Sequence, residues 1–367
     1  MPPKSSPTPS PESSHQPSRK PPHRFSRAAS NSIARRLLFV FLTAAALGLL
    51  CAGPLRAQAP FANIAAADRA LAGNAPAFRA LQEGRVDDAQ SLLNATLAAH
   101  PSDAAAHQLL CRVYYAQDAA DAAIRHCELA VAADPRNSDH QLWLGRAYGM
   151  KASRAGPFAG FSLARKVHAS FERAVQLNPS NVAALSDLGE YYVAAPSIVG
   201  GGMDKAQALA ARILPQFPIA GHRLLARIAE ANHDLPTAES EFKLAVAAQK
   251  TPEAWIDLAQ FYQAHNRPDE ALAAIKSALA ADRSHGPVLV DAASILTAAH
   301  RDPALAERCL RDYLASRAKS DAAPAFKVHL QFGRLLAARG DATDANRELA
   351  TAAVLAPTFT HTAKQGS

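Results

Sequence analysis

The sequence predicts an all-α protein, a superhelical solenoid of about seven or eight helical hairpins. Three observations predict it. Alanine and leucine dominate, while aromatic residues make up 6% of the 367 residues; such side chains lose little freedom when the backbone coils. Prolines close successive stretches at repeat-like intervals, with Pro101 and Pro135 34 residues apart. Between the prolines, apolar residues return at three- and four-residue steps, the period of one helix face.

Residues 1–33 mix Pro, Ser and Arg with almost no apolar side chains. They cannot bury enough surface to offset their ordering entropy and are expected to be disordered. Residues 34–59 read as an export element. Arg35-Arg36 precede the uncharged run Leu37–Leu55, which is followed by small residues at Ala57 and Ala59. A basic start, an apolar stretch and a small-residue cleavage point make a signal peptide. Cleavage after Ala57 is favoured, because cleavage after Ala59 would leave Pro60 next in line. An uncleaved membrane anchor over the same run is the first alternative. A lipidated Cys51 is the second, although Leu50 fits a lipobox poorly. Arg35-Arg36-Leu37-Leu38-Phe39 also resembles a weak twin-arginine signal. The expected location is periplasmic or secreted, with membrane anchoring second.

The formal charge of +7 points at first to nucleic acid. Eight of the basic residues, with only Glu12 against them, fall in residues 1–59, leaving 31 basic and 31 acidic residues in the body. A neutral body has no field to steer DNA or RNA, so nucleic acid is excluded as a partner.

The solenoid is expected over residues 60–357, with a disordered tail at 358–367. Its clearest unit carries Trp255, Leu258, Ala259 and Tyr262 on a first helix, then Ala271, Ile275 and Ala278 on a second. Pro268 opens that second helix, with Asp269 and Glu270 in the first turn where the helix dipole favours them. Leu144-Gly145 with Tyr148, Leu188-Gly189 with Tyr192, Leu110-Cys111 with Tyr114, and Phe332-Gly333 with Leu336 repeat the first-helix pattern. This resembles the tetratricopeptide repeat: a Trp, then Leu-Gly, then Tyr, followed by Ala, a large apolar residue, Ala and Pro. Residues 286–323 match weakly, and residues 70–103 have a poor first helix. The small residue lets the paired helices approach closely, and stacked pairs share one continuous core in a curved, elongated ribbon.

The resemblance implies a non-catalytic scaffold or adaptor without cofactors, which grips a partner protein or peptide along a concave groove lined by first helices. The position after each small residue turns toward that groove and reads Arg112, Arg146, Glu190, Arg227, Gln260 and Arg334. Gln108, Tyr115 and Gln263 border it. Guanidinium groups suit carboxylates, so the partner is expected to be acidic or to offer a free C-terminal carboxylate. The competing reading is a solvated face whose charges are balanced by neighbours. The family's Lys-and-Asn carboxylate clamp is not found. A membrane-tethered envelope-assembly component is the alternative of the same class, and a metal-dependent or enzymatic protein is the alternative of another.

Two insertions interrupt the period, at about 150–163 and 195–202. Phe158, Phe161, Ile198 and Val199 within them are candidates for a shared lid or contact patch. Gly200-Gly201-Gly202 near Lys205 lacks the spacing of a phosphate loop. The cysteines are Cys51, Cys111, Cys127 and Cys309, none with CxxC spacing. Cys111 and Cys127 fall at facing positions of one hairpin, so they are candidates either for a disulfide or for two buried thiols. His107 and His126 lie beside them without a standard zinc-ligand spacing, and no metal site is expected. No HExxH or GxSxG motif is present, and no catalytic residues are assigned.

Overall fold

The computed structural model describes residues 72–359, which hold sixteen α-helices and two short 3-10 turns and, among the described residues, no strand. The expected disordered segment 1–33, the signal or anchor at 34–59 and the tail beyond Phe359 lie outside the described residues.

The helices form eight consecutive hairpins: α1 (Ala75–Gln82) with α2 (Val86–Ala99), α3 (Ala104–Ala116) with α4 (Ala120–Ala133), α5 (Ser138–Ala152) with α6 (Pro157–Leu177), and α7 (Val182–Ala194) with α8 (Met203–Ile213). They continue with α9 (Pro218–Ala231) and α10 (Leu235–Ala248), α11 (Pro252–Ala264) and α12 (Pro268–Ala281), α13 (Val288–Ala298) and α14 (Pro303–Ala315), and α15 (Ala325–Ala338) and α16 (Ala342–Leu355). First helices of neighbouring hairpins pack on one another: α3 on α5, α5 on α7, α7 on α9 and α11 on α13. They form the inner wall of the curve.

Local chemistry explains the helix ends. Asp103, Asn181, Asp234, Thr251, Asp302 and Asp341 each accept a backbone N–H three residues on, a cap that stabilises a helix by about 1 kcal/mol. Six of the eight hairpins turn on one left-handed residue: Gly84, Asp118, His233, Asn266, His300 and Gly340, with φ between 50° and 87°. Each turn carries the same pair of crossed backbone hydrogen bonds, such as Asn266 N–H to Gln263 O and Arg267 N–H to Tyr262 O, the Schellman closure of a helix. The two hairpins lacking it are those with insertions.

The insertions differ from the expected loops. Residues 150–163 mostly extend helices, leaving only Ser153–Gly156 between α5 and a 21-residue α6. Residues 195–202 form the Ser197–Val199 turn and the glycine run. The expected lid is not assembled: Val199 is buried, whereas Phe158 and Ile198 are 95% and 69% exposed.

The small positions behave as the repeat requires. A Cβ on Gly145 would stand 2.5 Å from the Phe171 ring of the paired helix, so only glycine permits this approach. The weakly patterned hairpin α13/α14 keeps the fold by another device. Fully buried Tyr313 donates its hydroxyl to Ala323 O and accepts from Ser320 N–H, which ties down the longer loop before α15.

The stack bends until its last hairpin meets its first, so that the curved ribbon expected is closed on itself rather than elongated. Phe326 of α15 is fully buried in a cluster with Leu81, Val86, Leu93, Leu109, Leu110 and Ala356. Phe359, assigned above to a disordered tail, packs edge-on against Phe326. Gly84 lies so close to the backbone at Phe326 that a Cβ would fall 2.4 Å from its nitrogen.

Candidate functional site: the inner ionic seam

The inner wall brings the sequence-selected arginines together with carboxylates that the sequence reading did not pair with them. Arg146 on α5 donates Nε to Asp187 of α7 at 2.7 Å, and the two side chains are 9% and 7% exposed. Arg112 on α3 pairs with Asp321 of the loop before α15. Glu190 on α7 lies 3.6 Å from both Arg223 and Arg227 of α9; Arg223 faces Asp257 of α11, and Arg227 also meets Glu230 at 2.8 Å. Burial works against the charge of Arg227, but Glu190 and Glu230 outweigh it and hold the guanidinium above its usual range. The expected row of free guanidinium groups is therefore an alternating seam, largely compensated from within the chain.

Aromatic rings complete the seam. Arg112 lies 5.0 Å from the Trp143 ring centroid and Arg146 lies 4.8 Å from it. Tyr115 meets Trp143 edge-on, and Arg112 also covers Phe78. Burial pushes the Tyr115 hydroxyl up, with nearby Arg146 pulling the other way. Compensation is incomplete: Arg146 Nη2 is buried without a hydrogen-bond acceptor among the described residues, and Arg227 Nε faces Glu190 only at 3.6 Å, an arrangement that costs free energy.

The remaining candidates are spread around the wall. Gln260 and Gln263 on α11 are half-buried and Arg334 on α15 is exposed. Gln108, expected to border the groove, is buried inside its hairpin. The signal missed in the sequence is an aspartate just before the Leu-small pair: Asp187, Asp257 and Asp291 recur at that register and all are buried.

The structure joins Cys111 of α3 to Cys127 of α4, with Cα atoms 5.2 Å apart. Beside the bond, His107 Nδ1 and His126 Nδ1 are 3.2 Å apart, and His107 Nε2 is 3.0 Å from Pro101 O. Among the described residues no group of three or more His, Cys, Asp or Glu side chains is placed to hold a metal ion, and no helix is long and apolar enough to cross a membrane. A cleft of about 200 Å³ between α14, α15 and α16 is lined by Arg311, Phe332, Arg347 and Glu348. There, His329 Nδ1 sits 2.6 Å from Glu348.

Two stretches, residues 80–147 and 223–286, each match the sequence model of the tetratricopeptide repeat. No curated protein matches the chain. Among solved structures, it is similar to a thermophilic tetratricopeptide-repeat protein of Thermus thermophilus, with 22% identity and a TM-score of 0.39 over 58% of this chain and 92% of that one. A tetratricopeptide-repeat protein of Parabacteroides merdae is 13% identical, with a TM-score of 0.41 over 68% of this chain and 93% of that one. Yeast Tom70 is 16% identical, with a TM-score of 0.46 over 76% of this chain and 57% of that one.

Proposed function

The chain is a tetratricopeptide-repeat protein, and from that premise we propose that it is an exported, non-catalytic scaffold that grips an acidic segment of a partner protein on the inner wall of its helical stack. The observation that carries this reading is the incompletely compensated seam. Arg146 Nη2 has no acceptor among the described residues, Arg227 Nε and Arg223 reach carboxylates only at 3.6 Å or beyond, and Arg334 on the same wall is exposed. A carboxylate of the partner pairs with the accessible Arg334 and hydrogen-bonds with the amides of Gln260 and Gln263, in the manner of an extended segment lying along a helical groove. Gln260, Gln263 and Arg334 continue the same wall and remain accessible.

Export is supported by the sequence run Leu37–Leu55 behind Arg35-Arg36 and by the Cys111–Cys127 bond, since disulfides persist in oxidising compartments. The partner is met there, in the periplasm or outside the cell.

Because Arg146 and Arg227 are built into internal ion pairs, truncating them would test folding as much as binding. The better variant is Gln260→Glu with Arg334→Glu, which turns the accessible wall acidic and leaves the buried pairs intact. Capture of the partner from envelope extract should fall at least tenfold, as expected for about 1.4 kcal/mol or more of lost attraction. The control Arg308→Glu on the exposed side of α14 should capture normally. Equal capture by all three proteins would remove the acidic-partner reading.

A further inference from the structure

Helix α6 has 21 residues, against 8 to 15 in every other helix of the stack. Its extra turns lie at the insertion, and Phe158 near their tip is 95% exposed. Further along the same helix the exposed stripe reads Ser162, Arg165, Lys166, Ala169 and Arg173, with no exposed carboxylate. Glu172 is turned aside to the Tyr192 hydroxyl and His168. The neighbouring hairpin adds a second apolar tip. Its Ser197–Val199 turn packs on α6, held where the Tyr191 hydroxyl lies 2.8 Å from Ala164 O and 2.7 Å from Val199 O. That packing leaves Ile198, 69% exposed, on the turn that rests against α6. Asp118 is engaged by Arg154 and Lys327 and Asp121 by Lys151, while the exposed Asp204 follows the glycine run beside Lys205.

We propose that this edge docks on an anionic lipid surface, with Phe158 and Ile198 entering the interface and the Arg165–Lys166–Arg173 stripe of α6 facing the headgroups. The charge pattern is complementary to anionic lipid, whose surface attracts each nearby Lys or Arg. The apolar pattern distinguishes lipid from a protein partner. Phe158 and Ile198 are single projecting side chains without a surrounding apolar patch. A bilayer interface accepts such a ring in any orientation, whereas protein docking relies on a shaped, packed apolar centre. The proposal rests on the envelope reading above for its setting, since an exported protein works beside a membrane. It gives the inner wall a fixed position relative to that membrane.

The test uses the purified exported chain with vesicles of phosphatidylcholine alone and of phosphatidylcholine mixed with phosphatidylglycerol. In Phe158→Trp, emission above the background of Trp143 and Trp255 should shift to the blue and be quenched by brominated acyl chains, with the mixed vesicles only. Phe158→Glu with Ile198→Glu should lower partitioning onto mixed vesicles by at least about tenfold, the loss expected when a large apolar side chain no longer leaves water. An unshifted Phe158→Trp emission overturns the proposal. So does vesicle binding that the double variant leaves unchanged, which would assign the binding to the N-terminal apolar run or to another surface. Partner capture by the inner wall is read in a separate assay, so failure here and failure of the scaffold reading are distinguishable.

Discussion

Arg112 and Asp321 are 209 residues apart in the chain, yet Arg112 donates Nε to Asp321 at 2.7 Å and its Nη2 lies 2.5 Å from the same oxygen. The pair ties the second hairpin to the loop before the eighth, alongside Lys327 and Asp118. Both members are about nine-tenths buried, so removing one strands a charge in a poorly solvated place. Asp321→Ala is expected to cost about 3–5 kcal/mol at this contact. The loss should be local, because a repeat stack is stabilised by nearest-neighbour contacts. Hydrogen exchange should show α1, α15 and α16 losing protection while α9 to α12 keep theirs, and small-angle scattering should show a larger radius of gyration. Gly84→Ala should open the same contact from the other side, since its φ of 83° and the Phe326 backbone both exclude a Cβ.

The left-handed turns predict a stabilising change. His233 adopts a φ of 62° at the closure of α9, a conformation that costs a residue with a Cβ about 1 kcal/mol relative to glycine. His233 is exposed and lies outside the ionic seam. The greater freedom of glycine in the unfolded chain offsets part of that gain, so His233→Gly should raise the urea midpoint slightly with an unchanged slope, equivalent to about 0.5 kcal/mol or less.

Stability should fall in mild acid. Burial, then the neighbouring His107 and Arg125, lower His126 from 6.5 to about 4, and burial lowers His140 as well. The unfolded chain then takes up these protons at a higher pH than the folded one. The stabilising contribution is complete above about pH 6.5 and is lost as pH falls toward 4. His126 is only half-buried, so solvent screening limits its share to about 1–2 kcal/mol. Urea unfolding between pH 7.5 and 4.5 should show the decline, and His126→Gln should flatten it.

Reduction of Cys111–Cys127 should weaken the second hairpin. The bond closes a loop of 16 residues, for which the chain-entropy account gives about 3 kcal/mol. A thermal melt with a reductant should drop by several degrees, and exchange should rise first in α3 and α4. Free thiols on both cysteines in protein recovered from the envelope would remove this prediction.

The sequence carried the fold because the repeat is a packing rule: Gly145, Gly189 and Ala259 mark where helices touch, and Tyr148, Tyr192 and Tyr262 mark what fills the space beside them. Hairpin α13/α14 was faint because Tyr313 takes a place that alanine holds in its neighbours, and the longer loop that satisfies its hydroxyl is not part of the pattern. The shared left-handed turns were hidden because only Gly84 and Gly340 announce them; Asp118, His233, Asn266 and His300 adopt the same backbone without the residue that signals it. The inner arginines were legible as a row, but their partners were not. Asp187 and Asp257 come from neighbouring hairpins and Asp321 from the far end of the stack, so the pairs depend on curvature that no single repeat encodes. End-to-end closure was out of reach for the same reason, being the sum of many small rotations between hairpins.

The central claim is that the inner wall holds a partner protein, and site-specific photo-cross-linking in the native cell tests it most directly. A benzophenone amino acid placed at Gln260 on the inner wall should yield a discrete heavier adduct with an envelope protein. The same group at Leu129, exposed on the second helix α4, should yield none. Adducts from Leu129 with none from Gln260, or adducts from neither, would contradict the account.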